Sequence, residues 1–116
     1  MRVLIVDDDM GVSQMLLKLF SQSGLTSDVS HSVADALDFI RQTRYDLAVC
    51  DVDLPDGNGI TLAHALLKVE PSVRLVMISG DPDNLDKARD SGLSRCLQKP
   101  FDLGDLKALL ELQETK

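Results

Sequence analysis

Short apolar runs alternate with segments in which apolar residues recur every three or four positions, and this alternation predicts strands and helices in turn. Three runs have the length and the β-branched content of buried strands, and they span residues 2–7, 46–52 and 74–79. A further short strand is expected at 95–98, before the break at Lys99-Pro100. A fifth strand, at 26–31, is more polar and is therefore expected at an edge of the sheet. One helix follows each strand, so the chain consists of five consecutive strand–helix units.

The helices are predicted from apolar spacing and from residues that begin or end helices. The expected helices are 10–23, closed by Gly24; one that begins after Ser32; 60–69, stopped by Pro71; 82–91; and a last one that begins after Asp102. Ser32 with Asp35, and Asp102 with Asp105, have the spacing of a capping box. The apolar residues of the last helix are Leu103, Leu106, Leu109 and Leu110. The 82–91 helix has little apolar surface beyond Leu85 and Ala88, and we expect it to be mobile.

This order of elements predicts an α/β fold, with a parallel sheet, right-handed crossovers and helices on both faces. A chain of 116 residues that is 44% hydrophobic suits a single domain over residues 1–116. Ligands of such folds bind beyond the carboxyl ends of the strands. The residues at those ends are therefore the candidates for chemistry.

The charge and the cysteines restrict the classes of function. The net charge is −7, so direct nucleic-acid binding is not expected. No apolar run has the length of a membrane span, and the chain opens on a strand-like segment instead of a leader, which favours a cytoplasmic protein. Cys50 and Cys96 lie in apolar strand-like runs, which is typical of reduced, packed thiols and not of a disulfide or a metal site.

The predicted strand ends carry Asp7, Asp8, Asp51, Ser79 and Lys99. Carboxylates gathered in one place repel each other unless a cation is present or their pKa values rise, and oxygen ligands without Cys or His favour Mg²⁺, which also accepts phosphate oxygens. Lys99 would pair with a phosphoryl group and the Ser79 hydroxyl would donate to it, so the set suggests phosphoryl transfer with Asp51 as acceptor. Taken singly, each residue could equally be a solvated strand end, a helix cap or part of a turn.

Over nearly its whole length the chain resembles the receiver domain of two-component response regulators. The resemblance is carried by Val3-Leu-Ile-Val-Asp-Asp-Asp9, Asp46-Leu-Ala-Val-Cys-Asp-Val-Asp-Leu-Pro-Asp-Gly-Asn-Gly59, Val76-Met-Ile-Ser-Gly80 and Gln98-Lys-Pro-Phe101. It implies a flavodoxin-like, doubly wound fold with five helices and a five-stranded parallel sheet in the order 2-1-3-4-5. It also implies a signalling domain that catalyses only its own phosphorylation and dephosphorylation, not an enzyme acting on other substrates.

The resemblance assigns a role to each acidic residue. Asp51 corresponds to the residue that accepts a phosphoryl group from a histidine kinase or a histidine phosphotransfer protein. Asp8 and Asp51 correspond to carboxylate ligands of Mg²⁺, Asp53 to a residue that offers its backbone carbonyl to the ion, and Asp7 to an acid that acts through metal-bound water. Phosphorylation would then change a surface that a downstream effector domain or protein recognises.

The remaining two residues correspond to a switch hydroxyl, Ser79, and a phosphate-pairing lysine, Lys99. Three residues before the lysine, where the family usually has an aromatic side chain, this chain has Cys96, so coupling must use another element or be weak. The 79–99 span is somewhat shorter than usual, which weakens the case for a dimer built on the fourth helix. Asp53 and Asp81 are acidic at positions that tune phosphoryl lifetime in the family, and their charges could alter hydrolysis.

Other functions stay open at this point. The pair Asp51-x-Asp53 also resembles the start of haloacid-dehalogenase-type phosphatases, although that family has its nucleophile after the first strand. A receiver-like interaction module that works without phosphorylation is a further alternative. His31 and His64 lie away from the predicted strand ends, so we expect ordinary surface or partly buried roles for them. The chain ends soon after the last helix, so we expect a stand-alone receiver or one domain of a longer protein.

Overall fold

The structure is a computed structural model that describes the backbone of residues 1–114 and the side chains up to residue 109. The strands are β1 Arg2–Val6, β2 Thr26–Ser30, β3 Leu47–Asp51, β4 Asp53–Leu54, β5 Gly57–Asn58, β6 Arg74–Ser79 and β7 Cys96–Gln98. The helices are α1 Met10–Gln22, α2 Val33–Gln42, α3 Gly59–Val69, α4 Pro82–Asp90 and α5 Leu103–Glu114. The predicted alternation of strands and helices is confirmed.

Five strands form one parallel sheet in the order β2-β1-β3-β6-β7. Counted without the short strands β4 and β5, this is the expected order 2-1-3-4-5, and the polar strand β2 lies at an edge as predicted. Val6 pairs with Cys50, and Asp51 pairs with Ile78. This register brings the carboxyl ends of the three central strands side by side.

The core lies on both faces of the sheet because successive side chains of a strand point to opposite faces. Leu4 and Val6 pack with side chains from α2, α3 and α4, whereas Val3 and Ile5 pack with side chains from α1 and α5. These four side chains are almost completely buried, and each contributes about 1.5–3 kcal/mol relative to an exposed position. The sheet is therefore a rigid frame for the residues at its carboxyl edge.

Two local features differ from the prediction. The turn after β3 contains a short antiparallel hairpin of β4 and β5. The sequence does not predict this hairpin, because strands of two residues have no apolar pattern. In α5, Leu106 is completely buried but Leu103 is 36% exposed, since it lies roughly 60° around the helix from Leu106. Leu109 is partly buried, and the side chain of Leu110 lies outside the described residues.

Helix α4 buries Leu85 and Ala88, as its sequence predicts, and Asp81 caps its first turn. The expected mobility of this helix stays a prediction. Within residues 1–114, none of the helices combines the length and the apolar character that a membrane crossing requires.

Candidate functional site

The acidic run after β1 divides into three different environments. The Asp7 carboxylate is completely buried, and its Oδ1 accepts a hydrogen bond of 2.8 Å from the Asp9 backbone N–H. Asp8 is exposed to solvent. Asp9 caps α1 by accepting from the backbone N–H of Gly11 at 2.8 Å, so the helix-cap interpretation left open by the sequence holds for Asp9.

Asp51 is the last residue of β3 and is 4% exposed. Its Oδ1 accepts a hydrogen bond of 3.0 Å from the backbone N–H of Asp53. Burial raises the pKa of the Asp51 carboxyl to about 6, and the neighbouring charge of Asp7 adds to the rise, while hydrogen bonds from Lys99 and from the Asp53 backbone oppose it. Asp51 is therefore mostly ionised at neutral pH, and a cation bound nearby would stabilise the ionised form further.

Lys99 joins the two buried carboxylates. Its Nζ lies 2.8 Å from Asp7 Oδ2 and 2.9 Å from Asp51 Oδ2, and its backbone N–H donates to the carbonyl of Ser79 at 2.8 Å. Burial alone would lower the pKa of Lys99, but the hydrogen bonds that it donates to Asp7 and Asp51, together with the charges of these carboxylates, outweigh it, so the pKa is raised. Lys99 is thus a charged ammonium group held beside the candidate acceptor.

The residues fit a hard divalent cation. Asp7, Asp8 and Asp51 each offer a carboxylate oxygen, and these oxygens lie within 4.8 Å of one another. With Lys99 as the paired cation, the ionised set keeps an excess of negative charge, and its donors are all oxygen, as Mg²⁺ prefers. The Asp53 carboxylate does not belong to this group, because it is turned toward β6 and α4.

Ser79 ends β6 with a completely buried side chain. Its hydroxyl donates to Asp53 Oδ2 at 3.2 Å and accepts from the Asp81 backbone N–H at 3.0 Å. The other oxygen of Asp53 accepts from the side-chain amide of Asn84 in α4 at 2.8 Å. Sequence reasoning missed Asn84, since an amide in a polar helix has no local signal of a long-range partner.

Cys96 occupies the place under α4 that the resemblance assigns to an aromatic residue. Its side chain is partly buried, and its Sγ lies 3.3 Å from the carbonyl oxygen of Leu93 and 3.9 Å from that of Leu85. Burial raises the pKa of this thiol, and burial raises the pKa of Cys50 as well. Both cysteines are free thiols, as expected from the sequence.

The expectation that His31 lies away from a strand end is wrong. Strand β2 ends at Ser30, one residue earlier than predicted, because β1, its partner, ends opposite at Val6. His31 therefore follows directly, and its Nδ1 donates to the backbone carbonyl of Asp7 at 3.0 Å. It is partly buried, as predicted, and His64 in α3 makes a contact of 2.9 Å with the Ser91 hydroxyl.

A groove of about 480 Å³ opens beside Lys99, between the start of α1 and residues 99–101. Apolar side chains of Val12, Met15 and Phe101 line it. The groove gives the acidic cluster a partly apolar border on the α1 side.

Comparisons with known proteins agree with this geometry. The family described as the response regulator receiver domain matches residues 3–111. The sporulation initiation phosphotransferase F of Bacillus subtilis (strain 168) is 25% identical over 108 residues, which cover 91% of this chain and 87% of that protein. The response regulator PilR of Pseudomonas aeruginosa is 30% identical over 111 residues, 94% of this chain but 25% of that protein. The match thus spans about a quarter of PilR. It spans less than half of the DNA-binding response regulator MtrA from two mycobacteria.

Solved structures are similar as well. The non-phosphorylated receiver domain of HemR from Leptospira biflexa superposes with a TM-score of 0.82 at 28% identity, over 96% of this chain and 91% of that chain. The receiver domain of the Francisella response regulator 1452 gives a TM-score of 0.82 at 28% identity, over 99% and 98% of the two chains. Each of these similarities thus covers at least 96% of this chain.

Proposed function

The chain belongs to the family of response regulator receiver domains, and from this membership we propose that its Asp51 accepts a phosphoryl group from the phosphohistidine of a histidine kinase or a phosphotransfer protein. One observation carries the proposal: a buried carboxylate at a strand end, Asp51, shares one ammonium group, Lys99, with a second buried carboxylate, Asp7. Two buried acids around one lysine leave a buried negative charge without a partner, which costs stability and therefore favours a functional reason for the arrangement.

In the proposed reaction an Asp51 carboxylate oxygen attacks phosphorus. The new bond joins that oxygen to phosphorus, the nitrogen–phosphorus bond of the donor breaks, and the imidazole leaves with the electron pair and is protonated by solvent. Asp51 must be ionised to attack, which its pKa of about 6 allows at neutral pH. Lys99, already 2.9 Å from Asp51, then pairs with the transferred phosphoryl group.

Magnesium would be held by the carboxylates of Asp8 and Asp51, by Asp7 through a metal-bound water, and by the backbone carbonyl of Asp53. The ion would supply positive charge that lets the phosphoryl group approach a negatively charged site. The cluster of three carboxylate oxygens within 4.8 Å supports this assignment.

The chain would act as one receiver domain over residues 1–116 and would catalyse only its own phosphorylation and dephosphorylation. Its phosphorylated surface would be recognised by an effector domain or protein, and receiver domains in general interact with kinases and effectors. We place this activity in the cytoplasm, without direct contact to nucleic acid or membrane, in keeping with the net charge of −7.

Acetyl phosphate with Mg²⁺ tests the proposal. Intact-mass measurement should show one added phosphoryl group on the wild type and none on Asp51→Ala, while Asp90→Asn, which changes an exposed carboxylate on α4, should be modified like the wild type. An adduct that persists in Asp51→Ala would refute the assignment of the acceptor. No adduct at all would favour an interaction module that works without phosphorylation, and multiple turnover of a phosphate monoester would favour a phosphatase.

A further inference from the structure

The Asp53 carboxylate connects three parts of the site. Asp53 lies on β4, and its backbone N–H donates to the carboxylate of the candidate acceptor Asp51 at 3.0 Å. Its two side-chain oxygens accept from Ser79 at the end of β6, at 3.2 Å, and from Asn84 in the first turn of α4, at 2.8 Å. One exposed side chain therefore holds the hydroxyl of a buried serine and the amide of a helix at the same time.

The Ser79 hydroxyl has a single hydrogen to donate. In this structure the hydrogen goes to Asp53 Oδ2, and the hydroxyl oxygen accepts from the Asp81 backbone N–H. A phosphoryl oxygen on Asp51 would need the same hydrogen. Asp53 and the phosphoryl group are thus competing acceptors for one donor.

Asn84 decides how firmly Asp53 competes. Asp53 is exposed, and a free carboxylate on the surface would turn toward water. The amide of Asn84 holds one of its oxygens and thereby keeps the other in reach of Ser79. The hydrogen bonds of Asp53 form a side-chain link between Ser79, at the end of β6, and Asn84 in α4. The Cys96 thiol beneath the helix instead contacts backbone carbonyls.

We propose that Asn84 is a positioning residue of the phosphoacceptor reaction. In the resting state its amide holds the Asp53 carboxylate on the Ser79 hydroxyl. When that hydroxyl turns to the phosphoryl group, Asn84 is released together with α4. After phosphorylation Asp53 loses the Ser79 donor and faces the added negative charge at Asp51, so its carboxylate moves toward solvent and leaves Asn84. This link takes over the coupling to α4 in a chain that has Cys96 where an aromatic residue would stand. The inference rests on the proposed function, because it needs a phosphoryl group on Asp51.

Two variants test it with beryllofluoride and Mg²⁺ as the phosphoryl mimic. Asn84→Ala removes the amide, and Asn84→Asp keeps the shape but replaces the donor by a second carboxylate. Either change should raise the affinity for beryllofluoride by roughly two- to tenfold, the range expected for one lost hydrogen bond. Amide hydrogen exchange in residues 82–90 should already be as fast in the unliganded variants as in the beryllofluoride-bound wild type. Lys87→Ala, an exposed position on the same helix, should change neither quantity.

The outcomes separate this inference from the proposed function. If the wild type binds beryllofluoride at Asp51 but both Asn84 variants match it in affinity and in α4 exchange, the positioning role is wrong and the phosphoacceptor function stands. If the wild type does not bind beryllofluoride, or if Asp51→Ala binds it equally well, both proposals fall. A slower α4 exchange in the variants than in the unliganded wild type would also overturn the role of Asn84.

Discussion

A Cβ atom on Gly59 would lie 1.9 Å from the backbone carbonyl oxygen of Asp51, so the first residue of α3 and the last residue of β3 touch in a way that leaves no room for a side chain. The Gly59 N–H also donates to the carbonyl of Val52 at 2.8 Å. Helix α3 is therefore packed directly against the backbone that carries the candidate acceptor.

Gly59→Ala should displace the backbone at Asp51 and lower the free energy of unfolding by about 2 kcal/mol, since overpacking against backbone has little room to relax. Urea unfolding measures the loss. Gly80→Ala is the matched control, because a Cβ there would meet no atom within 4 Å and the glycine has no positive φ. Equal stability of the two variants would contradict the close contact.

Lys99→Met should raise the pKa of Asp51 above its value of about 6. Burial already raises that pKa, and the variant removes the hydrogen bond and the charge that oppose the rise. Carboxyl-carbon NMR titration without divalent cations measures the change. Lys107→Met, at an exposed position of α5, should leave the Asp51 titration unaltered. An unchanged or lower Asp51 pKa in Lys99→Met would argue against the short ion pair.

Protonation of Asp51 should contribute stability to the folded protein as the pH falls through 6 toward 4. Its folded pKa of about 6 lies above the ordinary value of 3.8, so between these pH values the folded state binds more protons than the unfolded state. Asp51→Asn lacks this titration, so it should be more stable than the wild type at pH 7.5. The difference should shrink by up to about 3 kcal/mol as the pH falls through 6 to 4.

Urea unfolding of both proteins over this pH range, without divalent cations, checks the prediction. The other carboxylates are common to the two proteins, so the difference isolates Asp51. A wild type that gains stability relative to Asp51→Asn as the pH rises would show that the folded pKa of Asp51 is lowered instead of raised.

Asp56→Ala should loosen the start of α2. The two oxygens of the Asp56 carboxylate, in the turn between β4 and β5, accept from the backbone N–H groups of Val33 at 2.7 Å and Ala34 at 3.0 Å. The variant should be less stable than the wild type and should exchange the amide hydrogens of Val33 and Ala34 faster. Asp56→Asn keeps a capping oxygen and should lie between the two.

These hydrogen bonds also lower the pKa of Asp56, the one with Ala34 most. A lowered folded pKa means that the contribution of Asp56 is present above the unfolded pKa and is lost as the pH falls through the folded one. The stability difference between wild type and Asp56→Ala should therefore disappear at low pH. A difference that does not depend on pH would show that the carboxylate charge has no part in the cap.

Much of the site could be predicted without coordinates because parallel strands end at one edge of their sheet. Asp7, Asp51, Ser79 and Lys99 could be placed together from their positions after apolar runs alone. The same reasoning set His31 aside although the predicted strand 26–31 ends on it, because the sequence does not show that its ring meets the backbone carbonyl of Asp7. It also missed Asp56 and Asn84, whose partners lie 22 or more residues away in the chain.

The sequence by itself determined the order of strands and helices, the faces that each buries and the gathering of acids and a lysine at one edge, because apolar spacing and strand ends are local properties of the chain. Only the tertiary structure decided which donor meets which acceptor there. It turns the Ser79 hydrogen to Asp53, joins Asp53 to Asn84 and leaves the carboxylates of Asp7 and Asp51 on Lys99. The physical reason is that hydrogen bonds and ion pairs depend on distances below about 3.5 Å between residues far apart in sequence, and packing alone sets those distances.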